Sequence, residues 1–174
     1  INIKEVSPAE IISVAVRRGE CAVIAEAEGT GIFTGISRVT VAVATGDLEG
    51  SVAKGRAEDF AGLLNDEAVI KYGYDLKYQK NILSSNGLDL CGRLMDIELM
   101  HYLIDPEKSH KIDILARSYL DVSIENSIET AEEEQLSLFD EVTEESDSSD
   151  RFAEAAAISI LGKIIRKDLV EKGL

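Results

Sequence analysis

Apolar residues recur along this chain in two rhythms, and the rhythms divide it into elements. Ser7-Pro8-Ala9-Glu10 has the form of a helix start, with Ser as the cap, Pro in the first turn and Glu three residues after the cap. The spacing predicts a helix to about Arg18, stopped before Gly19. Cys21 to Ala25 is an unbroken apolar, β-leaning run and reads as a buried strand, broken by Gly29-Thr30-Gly31. Arg38 to Thr45 alternates β-branched and small residues and predicts a second strand, turning at Gly46-Asp47. A short third strand over Gly50 to Ala53 completes a meander. Lys54 to Leu64 is expected to be helical, with Phe60, Leu63 and Leu64 on one face. Ala68 to Lys71 reads as a short strand. Asp75 to Asn86 reads as a helix ended by Gly87, in which Leu76, Gln79, Ile82 and Leu83 share a face. Two further helices, Asp96 to Leu103 and Ile112 to Leu120, flank the Asp105-Pro106 break. Arg151 to Glu171 forms a long last helix. Antiparallel strands first and helices later predict a mixed α/β domain, and there is no internal repeat.

Charge changes this picture in one place. The net charge of the 174 residues is −15, yet Asp121 to Asp150 holds 12 acidic residues and no Lys or Arg. The rest carries 18 basic against 21 acidic groups, so the body is nearly neutral. The 121–150 segment, ending EVTEESDSSD, is expected to be a solvated, flexible insertion. It would repel phosphates, and the body has no strongly basic stripe, which argues against tight nucleic-acid binding by this chain alone. No apolar run approaches the roughly 20 residues of a membrane span, so no membrane partner is expected. The start INIKEVSPAEI lacks a basic region and an apolar core, and it lacks an initiator Met, which suggests a fragment of a longer chain. Cys21 and Cys91 are too few for a disulfide framework and are expected to be reduced core thiols of a cytoplasmic protein.

The most specific stretch is KYGYDLKYQKNILSSNGLDLCGRLMDIELMHYLIDPEKSHKIDILARSYL, Lys71 to Leu120. Tyr74-Asp75-Leu76-Lys77-Tyr78-Gln79 is followed by Gly87-Leu88-Asp89-Leu90-Cys91-Gly92 and by a run from Asp96 to Pro106. This order resembles the proofreading 3′–5′ exonuclease domain of bacterial DNA polymerase I, family A. There N-x-K-Y-D precedes G-x-x-L-x-G and D-T-x-L-x-x-Y-L-L-(D/N)-P. The resemblance extends over roughly Cys21 to Leu174. It implies a ribonuclease H-like fold, a central mixed sheet flanked by helices, with residues 1–174 forming one domain of a bacterial polymerase chain that acts in DNA replication and repair. The polymerase domain of the same chain would be its partner, with DNA reached in that context.

Active relatives hold two divalent metals, Mg²⁺ or Mn²⁺, on four acidic side chains and position the attacking water with a Tyr. Two-metal hydrolysis needs hard oxygen ligands to activate the nucleophile and stabilise the leaving oxygen. The resemblance puts the first motif, D-x-E, on Ala25-Glu26-Ala27 without gaps. A gapped placement on Glu26-Ala27-Glu28 keeps an acidic pair and shortens the following loop by one residue. The Asp of the second motif is Gln79, which brings no charge. The third motif, Y-x-x-x-D, falls on Phe152 and Ala156. A shifted register would use Glu154 from another helix face. The expectation is a non-catalytic domain without metal, vestigial at Ala25, Ala27, Gln79, Phe152 and Ala156. The alternative is a residual metal-dependent exonuclease on Glu26, Glu28 and Glu154.

Three further features compete with simpler explanations. Gln135, Leu136, Leu138 and Phe139 match the Q-L-S/D-L-F pattern that docks bacterial partners into the replication sliding clamp, but short motifs recur by chance and local packing is the competing reading. Lys77, Lys80 and Arg93 are candidate phosphate contacts or plain surface charges. His101 and His110 lack the neighbours of a metal site, so His110 is expected to support a turn, and Asp96 is placed as a helix cap.

Overall fold

The computed structural model of the chain describes residues 1–28, 38–124 and 144–174. Among the described residues, six strands form one mixed sheet in the order β1-β4-β3-β2-β5-β6. They are β1 (Asn2–Glu5), β2 (Glu20–Glu28), β3 (Arg38–Gly46), β4 (Glu49–Arg56), β5 (Ile70–Gly73) and β6 (Leu94–Asp96). β2, β3 and β4 pair antiparallel, as the meander predicts, whereas β1–β4, β2–β5 and β5–β6 are parallel. Helices α1 (Pro8–Arg18), α2 (Ala61–Asn65) and α3 (Leu76–Ser85) cover one face; α4 (Ile97–Ile104), α5 (Ile112–Leu120) and α6 (Glu144–Glu171) cover the other. Among the described residues, no helix is long and apolar enough to cross a membrane.

The predicted Ser7 cap forms, its Oγ accepting from the Glu10 amide at 3.2 Å. Asp75 also caps a helix, accepting from the Tyr78 amide at 3.3 Å. Three expectations change. Lys54–Arg56 do not begin a helix, because they pair with Thr40–Ala42 in the ladder, and the chain then turns through a short 3₁₀ segment, Ala57–Phe60, into α2. Phe60, Leu63 and Leu64 are nonetheless buried together. β1 and β6 were not foreseen; each is a short outer strand without enough alternation to stand out from a loop. Finally, α6 begins at Glu144 rather than Arg151, so the end of the acidic stretch is helical.

The sheet separates two cores. Cys21, Val23 and Ala25 of β2 point toward α1–α3, while Ala22 and Ile24 point toward α4–α6. Small residues let α6 lie close on the sheet: Ala155, Ala156 and Ala157 are buried in the same core as Ala22, Ala42 and Ala44. A Cβ built on Gly162 would stand 2.4 Å from the ring of Tyr72. That ring is 1% exposed, and Arg166 donates to its hydroxyl at 3.2 Å, so it has little room to yield. Gly162→Ala should therefore cost about 1–3 kcal/mol, the range for overpacking a tight core, read as a lower urea midpoint.

Polar anchors fix the ends of these elements. Lys163 of α6 reaches the β3–β4 turn, donating to the Gly46 carbonyl at 3.1 Å and pairing with Asp47 at 2.9 Å. Gly46 has φ +106°, and a Cβ there would meet the Glu49 carbonyl at 2.7 Å, so the turn needs glycine. Lys71 is fully buried; its ammonium donates to the carbonyls of Asp66 and Cys91, and burial holds its pKa below the usual lysine value. Both cysteines are free thiols, and burial pushes Cys21 up to about 12.

His101 is buried at the end of α4, and its Nδ1 lies 2.7 Å from Nδ1 of His110. His110 thus props the approach to α5, as expected. Desolvation, then the neighbouring His110, hold His101 below the usual 6.5. A depressed histidine stays neutral when folded while the unfolded chain takes up the proton, so stability is full above 6.5 and falls as pH drops below it. Urea midpoints at pH 7.5 and 5.5 should differ in that sense, and the difference should shrink in His101→Phe.

Candidate functional site

A pocket opens where β2 and β5 part company. β2–β5 pairing ends at Ala22↔Tyr72; the chain then leaves the sheet through Tyr74 and Asp75, and Asp75 has φ 52° as it caps α3. Asp and Asn are the residues that tolerate this left-handed conformation best, which explains a short polar side chain at the head of the motif. The pocket, about 470 Å³, is lined by Ala25, Glu26 and Ala27 of β2, by Tyr74, Asp75, Tyr78 and Gln79, and by Arg151, Glu154 and Ile158 of α6. A nucleotide-sized group would fit that volume, so its chemistry is decided by the lining groups.

Gln79 is 4% exposed and bonded at both ends of its amide. Its Oε1 accepts from the Ala25 amide at 3.0 Å, and its Nε2 donates to the Tyr74 carbonyl at 2.9 Å. The side-chain amide thereby acts as a substitute peptide group, bridging two strands whose own ladder has ended. A carboxylate could accept from Ala25 but could not donate to Tyr74.

On the other side, Arg151 pairs with two acids. Its Nη2 contacts Glu26 of β2, and its Nη1 donates to Glu154 at 2.7 Å. Side-chain exposure is only 13% for Arg151, 15% for Glu154 and 28% for Glu26, so solvent screens this triad less than an ordinary surface pair. Both acids thus share one guanidinium supplied by the protein itself.

The candidates distribute unevenly. Ala25, Ala27, Gln79, Glu26 and Glu154 meet at the pocket; Glu28 is exposed outside it. Phe152 and Ala156 do not line it. Phe152 packs on the α4–α6 core and Ala156 is buried within it. At 3.6 residues per turn the face through Arg151, Glu154 and Ile158 is turned away from that of Phe152 and Ala156. The shifted register is therefore the one that faces the pocket. Lys77, Lys80 and Arg93 are exposed and line no part of it. Gln135, Leu136, Leu138 and Phe139 lie outside the described residues. Arg151 was missed altogether. Its i,i+3 spacing from Glu154 is visible in the sequence, but its bond to Glu26, 125 positions away, is not.

Acidic groups crowd the α3–α4 rim. Asp96 accepts from the Leu76 amide at 2.8 Å and the Glu98 amide at 3.0 Å, so one carboxylate caps two helices, extending the expected role. Burial, then Glu98, Asp96, Asp75 and Asp113, push Tyr74 up to about 12. Burial and the same neighbouring Asp96 and Asp75 raise Glu98. Among the described residues, no three His, Cys, Asp or Glu side chains converge as metal ligands.

With the geometry set out, comparison with known proteins identifies the lineage. The family model described as "DNA polymerase I, ribonuclease H-like domain" matches residues 40–130, more than half of the chain. No curated protein sequence matches it. Among solved structures, Brucella melitensis NrnC with bound Mg²⁺ is 16% identical with a TM-score of 0.70, over 99% of this chain and 84% of that one. The catalytic core of RRP6 from Trypanosoma brucei is 11% identical with a TM-score of 0.70, over 98% of this chain and 48% of that one. The POL domain of Pol1 from M. smegmatis, in complex with DNA primer-template and dNTP, is 16% identical with a TM-score of 0.63, over 98% of this chain and 28% of that one. At these identities the structures speak for the fold alone. The family model and the motif run over Lys71–Leu120 agree, and the chain belongs to the DNA polymerase I ribonuclease H-like domain family.

Proposed function

We propose that this chain is a non-catalytic exonuclease-like domain, a spacer and packing platform for the polymerase module of a bacterial DNA polymerase I working in replication and repair. The supporting observation is that Gln79, Glu26 and Glu154 at the pocket are already engaged within the protein. Mg²⁺ and Mn²⁺ require oxygen donors, preferably anionic, and two-metal hydrolysis requires several at once. Ala25 and Ala27 offer none; the Gln79 carbonyl is taken by the Ala25 amide, and Glu26 and Glu154 are held by Arg151. The residues present do not fit a pair of divalent ions. The acidic rim adds to the argument, because a single strand entering beside Glu98, Asp96 and Asp75 would bring further negative charge.

A residual exonuclease is the second reading, and the presence of Glu26 and Glu154 in one pocket is what favours it. It would require Arg151 to leave both carboxylates. A labelled single-stranded oligonucleotide incubated with the purified protein and Mn²⁺ separates the two. The expected result is no shortening above a no-protein control. Digestion that is abolished by Glu26→Ala would overturn the non-catalytic reading.

A further inference from the structure

We propose that Arg151 is a built-in cation that has taken over the task of joining β2 to α6, so that closure of the pocket no longer depends on any metal. The inference rests on the reading of the pocket as non-catalytic and deepens it, by naming the group that replaces the ions and the two carboxylates it serves. Glu26 comes from the open end of β2 and Glu154 from α6, and both meet one guanidinium. Two carboxylates brought together at 28% and 15% exposure repel unless a positive charge stands between them. A planar guanidinium with five donors can serve two carboxylates at once, which a lysine ammonium does with less geometric definition.

The position of this triad gives it leverage. α6 packs on β2, β3, β4 and β5, and Glu154 lies on the turn before Ile158, a fully buried residue that also lines the pocket. On the opposite wall, Gln79 closes the gap between β2 and Tyr74 with neutral hydrogen bonds. One wall is thus tied by an amide and the other by a guanidinium. Neither tie needs a diffusible ion.

Thermal unfolding in EDTA and in millimolar Mn²⁺ tests this without reference to activity. The wild-type midpoint should differ by less than about 1 °C between the two, within the few degrees that 1 kcal/mol moves a domain of this size. Arg151→Met should lower the midpoint in EDTA by about 5–10 °C, since two partly buried carboxylates lose the guanidinium they share. Mn²⁺ should then restore about half of the loss, as expected for an ion that binds only the folded state. Adding Glu26→Gln to Arg151→Met should remove the Mn²⁺ effect. Arg151→Lys should stay nearer the wild type in EDTA.

An equal Mn²⁺ gain in wild type and Arg151→Met, or none in Arg151→Met, would overturn the proposal. Should Arg151→Met fail to fold in either buffer, the triple variant Glu26→Gln, Arg151→Met, Glu154→Gln decides. Its folding would show that unneutralised carboxylates were the fault, and its collapse would count against the proposal. The oligonucleotide assay is read separately, so digestion by the wild type would sink the non-catalytic reading, whereas the Mn²⁺ arms judge Arg151 alone.

Discussion

Replacing Gln79 by Asp, the residue that active relatives carry there, should leave the protein inactive and less stable by about 2–4 kcal/mol, the range for a buried group losing its hydrogen bonds and gaining a charge. The side chain of Asp is one methylene shorter than that of Gln and falls short of one of the two groups that Gln79 spans, the Ala25 amide and the Tyr74 carbonyl. It also has no donor for the Tyr74 carbonyl when ionised. The site is 4% exposed, so water cannot replace the lost bonds cheaply. The change should lower the urea midpoint without altering the slope, the sign of a stability effect without a change in unfolded-state compactness. Gln79→Glu preserves reach and the acceptor but not the donor, and should fall less. An Asp variant as stable as the wild type would show that the amide bridge contributes little.

Asp96→Ala is the second large effect, also about 2–4 kcal/mol, since a lost cap costs about 1 kcal/mol and a bond to a charged acceptor somewhat more. Its carboxylate receives the Leu76 amide at 2.8 Å and the Glu98 and Leu99 amides at 3.0 and 3.4 Å, so two helix starts lose their acceptor together. Asp96→Asn should be milder, because its amide oxygen still accepts on one side. Leu76 and Gln79 share the first turn of α3, so loosening the cap should also weaken the Gln79 bridge. A double-mutant cycle between Asp96→Ala and Gln79→Ala should therefore be non-additive by 0.5 kcal/mol or more, in the manner of residues coupled through a common element. Strict additivity would mean that the two act independently.

Much of this architecture is legible before any coordinates. Local signals marked α1, α3, α5 and the β2–β3–β4 meander, because caps, glycine stops and period-two alternation act within a few residues. β1 and β6 escaped for the opposite reason: each is defined by pairing with a distant parallel neighbour. Lys54–Arg56 joined a strand because the ladder with β3 overrode a weak helical pattern. At the site, the motif points to Gln79, which lines the pocket, but cannot say that its amide is used on both sides. The third motif was harder. Phe152 and Ala156 align with the family pattern, yet only helix phase against the sheet reveals that Arg151 and Glu154 face the pocket. Ion pairs between a strand and a helix far apart in sequence leave no local trace.

A pocket closed by Arg151 and Gln79 should not accept a pair of divalent ions. Electron paramagnetic resonance of Mn²⁺ titrated into the folded wild-type protein addresses this directly, because a pair of ions held a few ångströms apart gives a spin-coupled spectrum that solitary surface ions do not. The expected result is at most weak, uncoupled Mn²⁺, unchanged by Glu26→Gln. A coupled pair that saturates and disappears in Glu26→Gln would contradict a pocket closed by Arg151 and Gln79.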